Sequence, residues 1–338
     1  MKTSEGDLLE TNDGIVFDVK GLVHPSDRVI AFIRYVPDPN GDRERDGKRY
    51  SKYYSLSKRY DLLKSKYPQY LVDDPVFNTL LCEVPVKDIK QHYRPVQGLK
   101  ELRNRILLDE PEKAALQFME LLKENSGVQW SKLGISGSIL VRLQEPSSDI
   151  DLVVYGTETG YRVAETMKKM LEDEDSPFEA YNCDGLRELF DFRSKDTNVS
   201  FEDFVRTDSR KVSHGKFMGK HFFIRFVKEL NEISEQYGSI IYKPIGNARI
   251  KATVVDDSES LFTPCCYKLT NVKILEGPKV EHIEEIVSFR GRFCEHAKTG
   301  EAVIAEGKIE RVEQEGKDDH FRLLLGGKPS DHMILTKN

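Results

Sequence analysis

The feature that most narrows the fold is a pair of short apolar segments, 133–135 and 150–155, joined by a turn of small residues. Leu133-Gly134-Ile135 runs into Ser136-Gly137-Ser138, and ten residues after Ser138 the chain resumes as Asp149-Ile150-Asp151-Leu152-Val153-Val154-Tyr155. The apolar runs predict strands, and the segment after Gly137 predicts a helix. A helix start leaves free N–H groups which, with the helix dipole, attract phosphate. Glycine at 137 lets the backbone come close to such a ligand, and the Ser138 hydroxyl adds a donor. Residues two apart on a strand share a face, roughly 6–7 Å apart, so Asp149 and Asp151 should point the same way. Two carboxylates beside a phosphate cradle can hold Mg2+ against a triphosphate. The metal would polarise the α-phosphorus and neutralise a pyrophosphate leaving group.

Gly137-Ser138, ten residues, then Asp149-hydrophobic-Asp151-hydrophobic resembles the signature of the DNA polymerase β-type nucleotidyltransferase superfamily. By element order the resemblance extends over 111–235. The whole chain is also similar to an archaeal family of predicted nucleotidyltransferases, a likeness that supplies a fold and no substrate. The resemblance implies Mg2+-dependent transfer of a nucleoside monophosphate from an NTP to a hydroxyl acceptor. Asp149 and Asp151 would be the metal ligands, and Gly137 and Ser138 would hold the triphosphate. It also implies a third acidic residue on a later strand. The corresponding strand, His221 to Val227, has Arg225 as its central polar residue and no carboxylate. Asp256, Asp257 and Asp191 are the candidates for that role, with Asp256 taken as the third catalytic residue. Without a third acid, the same fold would serve as a nucleotide- or RNA-binding protein that does no chemistry. Both readings stay open.

At 338 residues the chain exceeds one ordinary core. The expected organisation is an α+β module over 1–110, a polymerase β-like nucleotidyltransferase core over 111–240, and a small antiparallel β-barrel over 241–338. Helical periodicity starts near Pro111, a residue favoured in a first helical turn. Beyond 240 it vanishes: Arg249 to Val255, Tyr267 to Leu275, Ile286 to Cys294, Ala302 to Val312 and His320 to Leu325 alternate as strands. The segment 176–215 reads as helical and irregular.

The net charge is −6, so nucleic acid could be gripped only by a local patch. One candidate is the basic and aromatic run containing Arg43, Arg45, Lys48, Arg49, Tyr50, Lys52, Tyr53, Tyr54, Lys58, Arg59 and Tyr60, diluted by Asp42, Glu44, Asp46 and Asp61. Cations with interleaved tyrosines can hold phosphates and stack bases. Arg43, Arg45, Arg49, Tyr50 and Tyr53 are the RNA-contact candidates, the bland alternative being a solvated, self-paired loop. Arg142 is placed to reach a phosphate or to serve as a surface arginine. Arg225 stands among Phe222, Phe223, Ile224, Phe226 and Val227 and needs a partner, because a buried unpaired charge is costly. Asp149 or Asp151 could be that partner.

The five cysteines are odd in number and scattered, which argues against a disulfide framework. Cys265-Cys266 and Cys294-Glu295-His296 lack the spacing of a zinc ribbon, so buried, inert thiols are expected. No apolar run reaches the roughly 20 residues that span a bilayer. The opening Met1 to Asp7 is polar, without an apolar leader, and a cytoplasmic protein is expected.

Overall fold

The computed structural model describes residues 1–194, 198–281 and 283–336. The chain divides into two compact units: 1–72, 80–180 and 212–234 form the first, and 73–79, 181–211 and 235–338 the second.

The first unit holds two sheets. The N-terminal one comprises β1 (Leu8–Thr11), β2 (Val16–Val19), β3 (Arg28–Pro37), β4 (Arg43–Arg45), β5 (Lys48–Lys52), β6 (Leu71–Asp74), β7 (Thr79–Pro85) and β8 (Ile89–Tyr93). Its main path runs β4-β5-β3-β2-β1-β8, and β7 joins β3 to β6. The basic and aromatic run is therefore no loop. It forms the β4–β5 hairpin and then helix α1 (Leu56–Lys66), because Gly47, at φ +73°, closes a tight turn. Apolar positions alternate along β3, and Val29, Ala31 and Ile33 enter a core with Leu9, Phe17 and Val19.

Helix α2 (Pro95–Arg103) leads to α3 (Glu110–Ser126), whose start is fixed chemically. Asp109 and Glu112 form a reciprocal capping box, Pro111 occupies the first turn, and Gly127 ends the helix in the left-handed region. A single 3-10 turn, Trp130–Lys132, precedes β9 (Leu133–Ile135). Then come α4 (Gly137–Leu140), β10 (Ile150–Tyr155), α5 (Thr157–Glu172) and β11 (Phe178–Glu179), with β12 (His214–Phe217) and β13 (Lys220–Val227) later in the chain. The five strands order as β11-β12-β13-β10-β9, with β10 parallel to β13 and antiparallel to β9. Phe118 of α3 meets Phe178, Phe217 and Phe222 of this sheet with ring centroids 4.7, 5.1 and 5.0 Å away, so an aromatic cluster fastens helix to sheet.

The second unit contains α6 (Cys183–Arg193), α7 (Phe201–Asp208) and a six-stranded sheet of β14 (Ile240–Asp256), β15 (Cys265–Glu276), β16 (Ile283–Ser288), β17 (Ala302–Gln314), β18 (His320–Leu325) and β19 (His332–Leu335). Of the segment 176–215, residues 195–197 lie outside the described residues. β14 pairs with both β15 and β17, and the sheet curls into a barrel-like layer around Ile250, Tyr267, Ile286, Ile309 and Leu323. The expected all-antiparallel arrangement needs one correction, since β16 and β18 are parallel. From β16 the chain crosses to lie beside β14 as β17, and the hairpin partner β18 then returns alongside β16 in the same direction. Cys82, Cys265 and Cys294 are buried free thiols, Cys266 is half-buried and Cys183 exposed. Among the described residues no helix is long and apolar enough to cross a membrane.

Buried His296 gives this unit a pH response. Its Nδ1 lies 3.3 Å from the Met333 carbonyl, and burial, reinforced by the Lys211 charge, pushes its pKa from 6.5 down to about 3. A base depressed on folding adds stability above its free pKa and loses it as pH falls toward the folded value. Stability should therefore decline below about pH 6.5, by up to about 1.4 kcal/mol per pH unit from this proton. Denaturant titrations at pH 7 and pH 5 should show a smaller loss for His296→Gln than for the wild type. Equal losses would remove His296 from the account.

Candidate functional site

The Asp-Ile-Asp segment opens β10, with Asp149 just before the strand and Asp151 within it. In the parallel pairing with β13, Asp151 stands opposite Phe223 and Val153 opposite Arg225. On the other side, the Ser136 N–H donates to the Asp151 carbonyl at 2.8 Å. Gly137 then turns at φ +61°, where an added Cβ would lie 2.0 Å from Asp151 Oδ2. Only glycine fits both the dihedral and the space. The backbone at 137 thus lies against the Asp151 carboxylate.

The helix at Gly137 is shorter than expected. It makes one turn, the Leu143 N–H closes back on the Ser138 carbonyl at 2.9 Å, and Arg142 is exposed at φ +55°. One turn sums few peptide dipoles, so any phosphate binding here must draw more on side chains. Ser138 is buried at 4% residual exposure.

The loop from 141 to 148 that links this turn to Asp149 is held by the β4–β5 hairpin. Arg43 donates to the Leu143 carbonyl (3.2 Å) and Ser148 Oγ (3.1 Å) and pairs with Glu145 at 3.3 Å. Arg45 donates to the Val141 carbonyl (3.1 Å), the Tyr50 hydroxyl (3.0 Å) and Glu10 (2.8 Å). Arg43, Arg45 and Tyr50, read from sequence as RNA contacts, therefore have partners within the fold. Most of their polar atoms are engaged within the protein, where the two arginines hold the loop, and Tyr50 is 2% exposed. Tyr53 packs partly into the N-terminal core, while Arg49 remains exposed.

Arg225 is an anchor, but its partners differ from those expected. It pairs with Glu5, which has no exposed surface, and lies 3.6 Å from Asp18. Lys20 bridges the same carboxylates, at 3.3 Å from Glu5 and 3.1 Å from Asp18. Burial works to raise the Asp18 carboxyl, but Lys20 and then Arg225 outweigh it and hold it at about 2. The Ser136 hydroxyl donates to the Gly6 carbonyl at 2.7 Å, and an added Cβ at Gly6 would meet Val153 at 2.7 Å. The N-terminal segment is thereby packed onto the strand that carries the carboxylates.

Two cations of the N-terminal sheet act on Asp149 and Asp151. Arg34 of β3 stands 5.0 Å from the Tyr54 ring, and Lys52 of β5 lies 4.5 Å from the same ring and 5.8 Å from that of Tyr35. Burial, and then the Arg34 charge, pulls Lys52 down to about 8 against the attraction of Asp151 and Asp149. Surrounding protein raises the Asp149 carboxyl even though its side chain opens to solvent, and the Asp151 charge raises it further; Lys52, His221 and Arg34 oppose the rise. Burial pushes the Tyr35 phenol up to about 12, and its hydroxyl has no hydrogen-bond partner. None of Arg34, Lys52 or Tyr35 was singled out as a nucleotide-site residue from sequence. The available signal was a charged residue inside the apolar strand Ile33-Arg34-Tyr35.

Among the described residues, no group of three His, Cys, Asp or Glu side chains could hold a metal ion. Where the resemblance implied a third acid, β13 presents Phe223 and Arg225. Asp256 lies in the second unit, exposed at the end of β14, where it accepts the Ser258 N–H at 2.8 Å. Asp257 accepts from Thr299, and Asp191 lies on α6, both also in the second unit. The site is thus a pair of carboxylates, faced by cations of the same unit.

The fold is a mixed α+β arrangement with three sheets, and Asp149 and Asp151 stand at the head of β10 in the five-stranded one. No family model matches the chain, and no solved structure matches it. It is 32% identical over 334 residues to uncharacterized protein MJ1086 of Methanocaldococcus jannaschii, an alignment covering 96% of each chain, and it belongs to the family of that archaeal protein.

Proposed function

We propose that the protein binds a Mg2+-nucleoside triphosphate at Gly137, Ser138, Asp149 and Asp151 and transfers its nucleoside monophosphate to a hydroxyl acceptor. The observation that carries this reading is the seat of Gly137 on Asp151, which places bare backbone against a carboxylate pair. The pair suits a hard divalent cation: two oxygen donors at the head of one strand, with Asp149 held above the ordinary carboxylate range partly by the negative charge of Asp151. Asp149 and Asp151 would hold Mg2+, which when bound neutralises charge on the triphosphate and the departing pyrophosphate. The Arg43 and Arg45 contacts fix the loop that links the Gly137 turn to Asp149. In the transfer, the acceptor oxygen forms a bond to the α-phosphorus, the bond to the pyrophosphate breaks, and the hydroxyl proton leaves to solvent.

A second reading, nucleotide binding without transfer, is favoured by the pair of carboxylates standing without a third among the described residues. RNA is one candidate acceptor or ligand. Its support on the β4–β5 hairpin narrows to Arg49, Lys48 and Tyr53, since Arg43, Arg45 and Tyr50 are used inside the protein.

The test pairs calorimetry with a transfer assay. Asp149→Asn combined with Asp151→Asn should weaken Mg2+-NTP binding about 10–100-fold, the range of lost contacts to charged groups. A carboxyl raised on folding adds stability below its free pKa and loses it as pH rises through the folded value. At neutral pH the double variant should therefore be as stable as the wild type or more so. Wild-type affinity in that variant sinks the assignment. Label from an α-phosphate-labelled NTP appearing on an acceptor selects transfer, and binding without label selects the second reading.

A further inference from the structure

We propose that the N-terminal sheet supplies the polyphosphate grip of this site: Arg34 and Lys52 bind the β- and γ-phosphate oxygens of the nucleotide whose metal end lies on Asp149 and Asp151. The proposal rests on the nucleotide reading above and adds to it which residues take the phosphates.

Three observations support it. The first is a missing partner. Arg34 and Lys52 are half-buried, and among the described residues neither forms an ion pair. Their recorded neighbours are aromatic: Tyr54 for both, and Tyr35 for Lys52. Two half-buried cations without a carboxylate in ion-pair contact repel each other, and the charges of Asp18 and Asp151 beyond that distance offset them only in part, so an anion from outside would complete the arrangement. By contrast, the neighbouring cations Lys20 and Arg225 have their carboxylates within the fold.

The second is position. Arg43, opposite Tyr50 across the β4–β5 pairing, donates to Ser148 next to Asp149, which brings the strand of Lys52 to the carboxylate pair. Arg34 and Lys52 share the Tyr54 ring, and the Asp151 charge acts on both. Cations and metal-binding oxygens together match a metal-bound polyphosphate, whose charge exceeds what one divalent ion neutralises. A lone carboxylate or monophosphate ligand would not need both halves.

The third is Tyr35, whose side chain is fully buried and whose hydroxyl lacks a partner. Tyr35 stands opposite Lys52 across the β3–β5 pairing, so an unsatisfied donor lies beneath the cations. Guanidinium and ammonium over phosphate give charge-assisted hydrogen bonds about twice as strong as neutral ones.

The experiment measures binding of Mg2+-ATP, Mg2+-GTP, inorganic tripolyphosphate and adenosine to the full chain by calorimetry. The variants are Arg34→Gln, Lys52→Gln and the charge-keeping Arg34→Lys, each checked for fold by circular dichroism. Each glutamine variant should lose about tenfold or more in affinity for nucleotide triphosphate and for tripolyphosphate alike. Arg34→Lys should recover part of it, a rescue that a purely structural role would not give. Triphosphate binding that depends on Asp149 and Asp151 but is untouched in the glutamine variants overturns this proposal and leaves the nucleotide reading standing. Tripolyphosphate binding lost in those variants, with no nucleotide binding by the wild type, does the reverse. Absence of binding to every probe overturns both.

Discussion

Replacing Glu5 by alanine is expected to cost the first unit about 3–5 kcal/mol, the penalty for breaking a buried ion pair from one side. Glu5 has no exposed surface, accepts the Gly21 N–H at 2.8 Å, and faces both Lys20 and Arg225. Without it, Asp18 alone confronts two buried cations, at 3.1 Å from Lys20 and 3.6 Å from Arg225. Desolvation that was offset by two carboxylates is then offset by one. Glu5→Gln should be milder, since an amide oxygen in the place of Oε1 still accepts from Gly21, although the NH2 group then faces Lys20 and Arg225. Urea titration followed by tryptophan fluorescence measures this directly, because Trp130 lies in the same unit. A loss below about 1 kcal/mol for the alanine variant would mean that the network is no better than a surface ion pair.

The other large effect belongs to Gly137→Ala. A left-handed alanine costs roughly 1–2 kcal/mol, and relieving a contact at the Asp151 carboxylate should add a strain of about 1–3 kcal/mol. The clash falls on Asp151 itself, since the added Cβ would lie 2.0 Å from Oδ2 and 2.8 Å from its Cβ. The carboxylate must rotate or the turn must open, and either change breaks the geometry proposed for metal and nucleotide. The variant should therefore lose both stability and Mg2+-NTP binding, unlike the Asp149→Asn, Asp151→Asn pair, which loses binding alone. Wild-type stability in Gly137→Ala would show that the turn has slack. The two variants together separate a steric requirement at 137 from a charge requirement at 149 and 151.

What could be read from the sequence, and what could not, follows from where each partner lies. The Gly137 turn and the strand that Asp149 and Asp151 open were legible because their geometry is local: a turn of small residues between two apolar runs. The short length of α4 was not, because it is set by Arg142 turning left-handed and Leu143 closing on Ser138. Arg34 was hidden for another reason. Alternation assigns a face to a strand residue without saying which sheet that face meets. The inward contacts of Arg43 and Arg45 were not legible because their partners include main-chain carbonyls of Leu143 and Val141, which leave no mark on residue type. Composition showed a basic and aromatic run, and its use inside the protein depended on tertiary contacts. Strands beyond 240 were visible from alternation, whereas the parallel β16–β18 pair depended on the path of a crossover.

The contact between Arg225 and Glu5 joins residues 220 positions apart, and those of Ser136 with Gly6 and Arg43 with Leu143 span 130 and 100. On the ribosome, Glu5 therefore emerges long before its arginine exists. The N-terminal strands can form their hairpins early, but the two carboxylates beside them share the single charge of Lys20 until β13 brings Arg225. At synthesis rates of roughly 5–20 residues per second, that wait is on the order of ten seconds or more. Folding of the first unit is thus gated by its last strand, and the nascent chain spends the interval as a partly assembled sheet that cannot yet close over its own charges.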